Sequence, residues 1–194
     1  MMEAKQVCHP LPPVYDQDSR VLFLGTMPSP KSRETGFYYA HPRNRFWTVL
    51  ARILEEPVPA GTAQRREFCL RHHIALWDVL ASCVISGASD GSIREPKANP
   101  VEKILQFAPV EAVFTTGRKA YDLYNRFCLP RTGKKAFLLP STSPANCACT
   151  LMELERAYRA ILPYCQEKKD ESETDRAGSK KTAGGGPELQ TGKF

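Results

Sequence analysis

Four short apolar runs stand out along the chain, and each ends at turn-forming or polar residues. Short runs that are apolar at every position are typical of strands buried on both faces of a parallel sheet. The predicted strands are residues 21–24, 74–77, 112–114 and 136–139.

Apolar residues recur at helical spacing between and after these runs. Because strands alternate with helices, the pattern predicts an α/β fold in which helices cover both faces of a parallel sheet, a three-layer α/β/α sandwich. The predicted helices are residues 44–54, 63–71, 100–107, 118–127 and 151–164, the last with Leu151, Leu154, Tyr158, Ile161 and Leu162 on one face.

This architecture predicts the position of a functional site. In open parallel sheets, ligands bind beyond the carboxyl ends of the strands, where loops converge. Residues 25–44 follow the first predicted strand and residues 140–146 follow the fourth. We therefore expect these two segments to meet over one edge of the sheet.

The first segment is long for a strand-to-helix connection, which favours a functional loop. It combines neighbouring aromatic residues with a dense set of basic ones, a mixture that stacks nucleobases while holding a phosphate backbone. The alternative is that the aromatic residues anchor the loop on the core, and we adopt it for Phe37, Phe46 and Trp47. The remaining aromatic residues are Tyr38 and Tyr39, and the basic set is Lys31, Arg33, His41, Arg43 and Arg45.

The second segment carries small polar residues around a proline. Their hydroxyl groups and backbone amides suit a phosphate or a groove of nucleic acid. The alternative, a region that caps the last helix, fits Thr150 with Glu153 as a capping box but leaves the earlier serines unexplained. The polar residues are Ser141, Thr142, Ser143 and Asn146, with Pro144 among them.

Other polar residues have two interpretations. Asp78 ends the second predicted strand and either points into a pocket or caps a following helix. Asp90 lies in a loop with Ser92, where turn formation is the default and pocket lining the alternative. Gly117 begins a predicted helix, whose N-terminus is a weak candidate for binding phosphate.

Composition places the basic excess in the body of the chain. The formal net charge is +6, and residues 166–194 carry six basic and six acidic side chains, which leaves 21 Lys and Arg against 15 Asp and Glu in residues 1–165. A basic body suits a polyanionic partner. The polar, glycine-rich residues 166–194 are expected to form a disordered tail behind one domain, residues 1–165.

Seven cysteines at irregular spacings predict a reducing environment and neither a metal nor a cofactor. No run of about 18 apolar residues occurs, and the first residues do not have the composition of a secretory leader. The sequence therefore predicts an intracellular monomer that does not enter a membrane, nuclear in a eukaryote and cytoplasmic in a bacterium.

Three motifs together resemble a known family. GTMPS at the start of the first segment, FYYAHPRNRFW at its end and STSPAN in the second are similar to motifs of the uracil-DNA glycosylase superfamily. The closest resemblance is to the hypoxanthine-DNA glycosylases, or DNA-deoxyinosine glycosylases, and it covers about residues 10–165. It implies a four-stranded parallel sheet with a pocket that receives a flipped-out nucleotide.

The resemblance also implies residue roles. Asn44 is the expected catalytic residue and Tyr39 the ring that stacks on the base. Met27 and Ser141 stand where many superfamily members carry polar catalytic groups. The expected substrate-binding residues are Gly25, Thr26, Met27, Pro28, Tyr39, His41 and Ser141, and the expected DNA contacts are Lys31, Arg43, Ser143, Pro144 and Asn146.

The implied reaction is hydrolysis of the N-glycosidic bond of a deaminated base, which leaves an abasic site. Hypoxanthine is the expected base, with uracil and xanthine as further candidates, in double-stranded DNA and with single-stranded DNA left open. A lyase would need a desolvated lysine, and Lys31 suits a phosphate contact better. The alternatives are a mismatch-specific uracil or thymine glycosylase, a non-catalytic damaged-DNA-binding module and, last, a hydrolase of free nucleosides.

Overall fold

A four-stranded, wholly parallel sheet forms the centre of the molecule. The computed structural model describes residues 4–86 and 90–165. The strands of this sheet are β2 (Val21–Gly25), β3 (Ile74–Asp78), β6 (Ala112–Thr116) and β7 (Ala136–Leu139). They stand in the order β3-β2-β6-β7, and each predicted strand is present. The α/β fold class is therefore confirmed.

All five predicted helices are present. Four of them are continuous, and their ends differ from the predicted ends by at most two residues. The predicted helix 151–164 is interrupted by a 3-10 turn, Arg159–Ile161. Two short helices, α1 (Pro30–Thr35) and α6 (Leu129–Thr132), were not predicted. The helices are α1 (Pro30–Thr35), α2 (Phe46–Ile53), α3 (Gly61–Arg71), α4 (Glu102–Phe107), α5 (Arg118–Phe127), α6 (Leu129–Thr132), α7 (Leu151–Tyr158) and α8 (Leu162–Cys165).

Two hydrophobic cores lie on opposite faces of the sheet. Along β2, Val21 and Phe23 point into one core, and Leu22 and Leu24 point into the other. All four are fully buried, as a central parallel strand requires. The first core includes residues of α2, α3 and α7, and the second includes residues of α4 and α5.

A second sheet, which the sequence did not predict, covers part of the second core. It is antiparallel, in the order β1-β4-β5, with β1 (Ala4–Cys8), β4 (Leu80–Ser86) and β5 (Arg94–Ala98). Only Val79 separates β3 from β4. The suggestion that Asp78 caps a following helix is therefore wrong, because a strand follows it.

The edge strand β7 is not buried on both faces, contrary to the prediction. Phe137 is 54% exposed and Leu138 39% exposed. β7 has a hydrogen-bonded neighbour on one side only in this sheet, and among the described residues no helix covers these two side chains fully.

Within the described residues, no helix combines the length and apolar character needed to cross a membrane. The predicted tail, residues 166–194, lies outside the described residues.

Candidate active site

A cavity of about 890 Å³ opens at the carboxyl ends of all four parallel strands. The last residue of each strand lines the cavity: Gly25 of β2, Asp78 of β3, Thr116 of β6 and Leu139 of β7. The loops that follow these strands form the rest of its walls. The cavity therefore occupies the edge of the sheet at which the sequence predicts a site.

Both predicted segments contribute to this cavity. The sequence-predicted residues that line it are Gly25, Thr26, Met27, Pro28, Tyr39, Asn44, Ser141, Ser143 and Asn146.

Four other predicted residues do not line the cavity: Lys31, His41, Arg43 and Pro144. Lys31 forms an exposed ion pair with Glu34 at 2.8 Å. His41 Nδ1 accepts a hydrogen bond from the backbone N–H of Arg43 at 3.1 Å, so His41 organises its own loop. Pro144 is half-buried in the second segment.

Arg45 joins the two segments. Its backbone N–H donates to the carbonyl oxygen of Thr142 at 3.1 Å. Its guanidinium donates to the carbonyl oxygens of Asn146 at 2.9 Å, of Ser143 at 3.4 Å and of Cys149. One side chain therefore fixes the serine loop, residues 141–149, against the start of α2.

Asn44 stands directly before α2 and lines the cavity. Its side-chain Oδ1 accepts a hydrogen bond from the backbone N–H of Phe46 at 3.0 Å, which satisfies a free N–H at the start of the helix. Nδ2 of Asn44 makes no hydrogen bond with any residue that the structure describes. The amide is thus oriented by the helix and retains a donor for a ligand.

The ring of Tyr39 is held firmly on one face. It stacks on Phe46 with ring centroids 3.8 Å apart and planes 13° apart, and its hydroxyl group lies 3.2 Å from Thr116 Oγ1. Burial and the neighbouring Asp78 carboxylate raise the pKa of Tyr39, so the phenol stays neutral. Tyr39 has a positive φ of 51°, a costly conformation that is common at functional sites.

The other aromatic residues of the first segment are structural. Phe37, Phe46 and Trp47 are buried, as the sequence analysis expected. Tyr38 is also buried, and its hydroxyl group donates to the carbonyl oxygen of Pro12 at 2.9 Å.

Two carboxylates, those of Asp78 and Asp90, line the cavity. For each of them the sequence analysis had given pocket lining as one of two interpretations. Asp78, at the end of β3, is 4% exposed and contacts His9, with 2.8 Å between Nε2 and Oδ2. Asp90 is exposed as a whole residue of a 3-10 turn, but it lines the cavity, and its carboxyl group accepts a hydrogen bond from the buried Thr26 hydroxyl at 3.0 Å, which shields the carboxyl group from solvent. Burial raises the pKa of Asp90; the Thr26 hydrogen bond opposes this and the Asp78 charge adds to it.

Two glycines permit close approaches in the cavity wall. A Cβ atom at Gly25 would lie 2.3 Å from Asp78 Oδ1, which is shorter than any real contact. Gly117, before α5, has a φ of 98°, and a Cβ there would lie 3.2 Å from the Cβ of Ser141. Gly25 therefore leaves room for the Asp78 carboxylate, and the positive φ of Gly117 favours glycine at that position.

Basic residues contribute to the rim of the cavity. Arg118, at the first turn of α5, is exposed, and Arg33 donates to the carbonyl oxygen of Pro28 at 2.9 Å. Such a rim suits a polyanion. In the part of the chain that the structure describes, no group of three or more His, Cys, Asp or Glu side chains could hold a metal ion.

Comparison with known proteins gives a consistent result. A family model described as the uracil DNA glycosylase superfamily matches residues 12–164. The chain is 33% identical to the hypoxanthine DNA glycosylase of Methanosarcina barkeri (strain Fusaro / DSM 804) over 137 residues, which are 70% of this chain and 85% of that protein. It is 30% identical to the hypoxanthine DNA glycosylase of Methanosarcina acetivorans, with the same shares covered.

A solved structure also matches. The solution NMR structure of a candidate uracil DNA glycosylase from Methanosarcina acetivorans aligns with a TM-score of 0.67 at 26% sequence identity. The alignment covers 79% of this chain and 98% of that one.

Proposed function

The chain belongs to the uracil DNA glycosylase superfamily and is a DNA glycosylase, and from this premise we propose that it removes hypoxanthine from DNA by hydrolysis and leaves an abasic site. Uracil and xanthine, which also arise by deamination, are its further candidate substrates. The two relatives named hypoxanthine DNA glycosylase support this choice of base.

The observation that carries the proposal is that Asn44 and Tyr39 line one cavity with the serine loop. A flipped-out base needs a flat apolar surface, and Tyr39 offers the ring face that Phe46 does not cover. The sugar and the attacking water need polar groups, and Asn44 offers an oriented amide. Both lie where loops from different strands converge.

The reaction breaks the bond between C1′ of the sugar and the ring nitrogen of the base. The bonding electron pair leaves with the base, positive charge develops on the sugar, and water forms the new bond to C1′ and releases a proton to solvent. A preorganised dipole that stabilises this charge distribution contributes roughly 3 to 4 kcal/mol. Asn44 supplies such a dipole, because Oδ1 has a second lone pair for water and Nδ2 is a free donor among the described residues.

The serine loop and the basic rim are the proposed contacts of the DNA backbone. Ser143 and Asn146 line the cavity beside Arg118, so they are near the phosphates of a nucleotide that enters it. The proposed substrate is duplex DNA bound by a monomer, in the nucleus of a eukaryote or the cytoplasm of a bacterium. Single-stranded DNA is the second form to test.

The test is cleavage of oligonucleotides that carry hypoxanthine, uracil, xanthine or mismatched thymine, in duplex and single-stranded form. Alkali then breaks the strand at each abasic site. We expect strand breaks at hypoxanthine that are fewer in Asn44→Ala and unchanged in the matched control Asn125→Ala, which alters a residue of α5 that does not line the cavity.

Other outcomes of this assay would change the proposal. Cleavage of mismatched thymine or uracil alone would assign a mismatch-specific glycosylase. Tight binding without cleavage of any base would instead support a non-catalytic damaged-DNA-binding module.

A further inference from the structure

Asp90 places a carboxyl group on the wall of the cavity. Its Oδ2 accepts a hydrogen bond from the hydroxyl group of Thr26 at 3.0 Å. Thr26 is only 6% exposed, so water does not compete strongly for this bond. The bond therefore fixes the direction of the carboxyl group relative to the end of β2.

Both partners of this hydrogen bond are tied to β4. The backbone N–H of Leu80, the first residue of β4, donates to the carbonyl oxygen of Thr26 at 3.1 Å. At the other end of β4, the backbone N–H of Ser86 donates at 2.9 Å to Oγ of Ser92, which lies in the same 3-10 turn as Asp90. One strand thus holds the hydroxyl group and the carboxyl group in place.

The need of Thr26 for an acceptor does not explain a charged residue at position 90. The neutral amide of an asparagine would accept the same hydrogen bond. A carboxylate also repels the phosphates of DNA, whereas Arg33 and Arg118 on the same cavity attract them. The negative charge therefore opposes binding of the DNA, which points to a use in a later step.

We infer that Asp90 is a second catalytic residue, whose carboxylate faces the sugar of the flipped-out nucleotide and stabilises the positive charge that develops there. The inference rests on the proposed function and adds a group to its mechanism. The bonding electron pair still leaves with the base, and water still forms the new bond to C1′ and releases its proton. Asp90 gains and loses no proton in this step. Its attraction for the sugar is stronger in the cavity than in water, because the effective dielectric constant is lower.

The depth of Asp90 in the cavity suits the sugar. Gly25 and Thr116 are buried at the strand ends and form the floor, whereas Asp90 belongs to an exposed turn and lies near the mouth. A flipped-out base enters the cavity first, and its sugar stays attached to the strand outside. The base therefore reaches the floor while the sugar remains at the level of Asp90.

The groups around Asp90 set the pH range in which it is charged. Burial raises the pKa of Asp90, the Thr26 hydrogen bond and the Lys119 charge oppose this, and the Asp78 charge adds to it. The stabilising charge is thus present above the raised pKa and is lost as pH falls through it. The titratable and charged groups that act on Asp90 or on the nearby Cys83 thiol are Asp78 of β3, Cys83 of β4, Lys119 of α5 and Arg33 of α1.

The first experiment measures single-turnover excision of hypoxanthine from a duplex oligonucleotide at several pH values. Asp90→Asn keeps an acceptor for Thr26 and removes the charge, so we expect excision at neutral pH to slow by about tenfold or more. The ratio of the wild-type rate to the Asp90→Asn rate should decrease as pH falls through the raised pKa. Asp90→Glu should recover part of the rate, and the exposed control Asp18→Asn should behave like wild type.

The second experiment measures binding without turnover. Two duplexes are compared, one with a cationic pyrrolidine ring in place of the sugar and one with a neutral tetrahydrofuran ring. Wild-type protein should bind the pyrrolidine duplex more tightly, and Asp90→Asn should lose about tenfold or more of this preference. The variant should bind the tetrahydrofuran duplex at least as tightly as wild type, because a repulsive charge is gone.

Three results would overturn the inference. The first is a wild-type excision rate in a folded Asp90→Asn protein, and the second is an unchanged preference for the pyrrolidine duplex. The third is a loss of affinity for the tetrahydrofuran duplex that matches the loss of rate, since this would assign a structural role. Each leaves the proposed function standing, whereas wild-type protein that cuts no deaminated base would overturn the proposed function itself.

Discussion

The backbone N–H of Arg45 lies 3.1 Å from the carbonyl oxygen of Thr142, and this hydrogen bond joins segments that are almost a hundred residues apart in the chain. Arg45 directly follows Asn44, and Thr142 directly follows Ser141. The bond therefore sets the separation between the proposed catalytic amide and the serine loop. The guanidinium of Arg45 strengthens the same contact, because it donates hydrogen bonds to three carbonyl oxygens of the serine loop.

Arg45→Ala should lower both stability and activity. It removes three hydrogen bonds from a charged donor, each worth roughly 1.5 to 3 kcal/mol in favourable cases, so we expect the free energy of unfolding in urea to fall by about 2 kcal/mol or more. Single-turnover excision should also slow, because the serine loop loses its anchor. Arg45→Lys should recover part of both losses, and an unchanged excision rate in a folded Arg45→Ala protein would refute the positioning role.

Asn44 allows its structural and chemical roles to be separated. Asn44→Ala removes the helix cap and the free amide donor, so we expect a loss of about 1 kcal/mol of stability and a decrease of roughly 100-fold or more in excision rate. Asn44→Asp keeps the Oδ1 acceptor and should retain the stability while losing the rate. Urea unfolding and single-turnover kinetics measure the two quantities, and wild-type turnover by Asn44→Ala would move the catalytic role to another residue.

Tyr39 variants test the stacking role. Tyr39→Phe retains the ring and loses only the contact with Thr116, so its excision rate should stay close to that of wild type. Tyr39→Ala removes the ring and should weaken transition-state binding by about 1 to 3 kcal/mol, measured as kcat/KM on a hypoxanthine oligonucleotide. Equal activity of the two variants would exclude stacking on this residue.

Asp90 predicts a specific dependence of stability on pH. Its pKa is raised in the folded protein, mainly by burial, so the folded state holds this proton more tightly than the unfolded state does. The corresponding stability is fully present below the ordinary aspartate pKa and is lost as pH rises through the raised value. Asp90→Asn should therefore weaken the dependence of the free energy of unfolding on pH across this range, as measured by urea unfolding at several pH values. The exposed control Asp18→Asn should leave this dependence unchanged.

The parallel sheet could be predicted because its strands are apolar at nearly every position. The ends of β2 and β7 then located the two segments of the site without further information. The second sheet gave no comparable signal. β1 and β5 are short and polar, and β4 follows β3 after one residue, so the apolar stretch from Ile74 to Ile85 does not separate into two strands in the sequence.

The residues of the site also differ in how well the sequence predicts them. Asn44 and Tyr39 lie in a motif that resembles a known family, and both line the cavity. His9 and Asp78 are 69 residues apart, and their contact depends on the pairing of β1 with β4. Sequence patterns could place Asp78 at the end of a strand but could not supply its partner.

The contact between Gly25 and Asp78 also constrains how this site can evolve. Since a Cβ atom at position 25 would occupy the space of an Asp78 carboxylate oxygen, position 25 can gain a side chain only if residue 78 also changes or moves. Descendants of this sequence that acquire alanine or serine at position 25 should also acquire a shorter or displaced residue at position 78. The dependence runs one way, because a shorter residue at position 78 leaves the glycine at position 25 undisturbed.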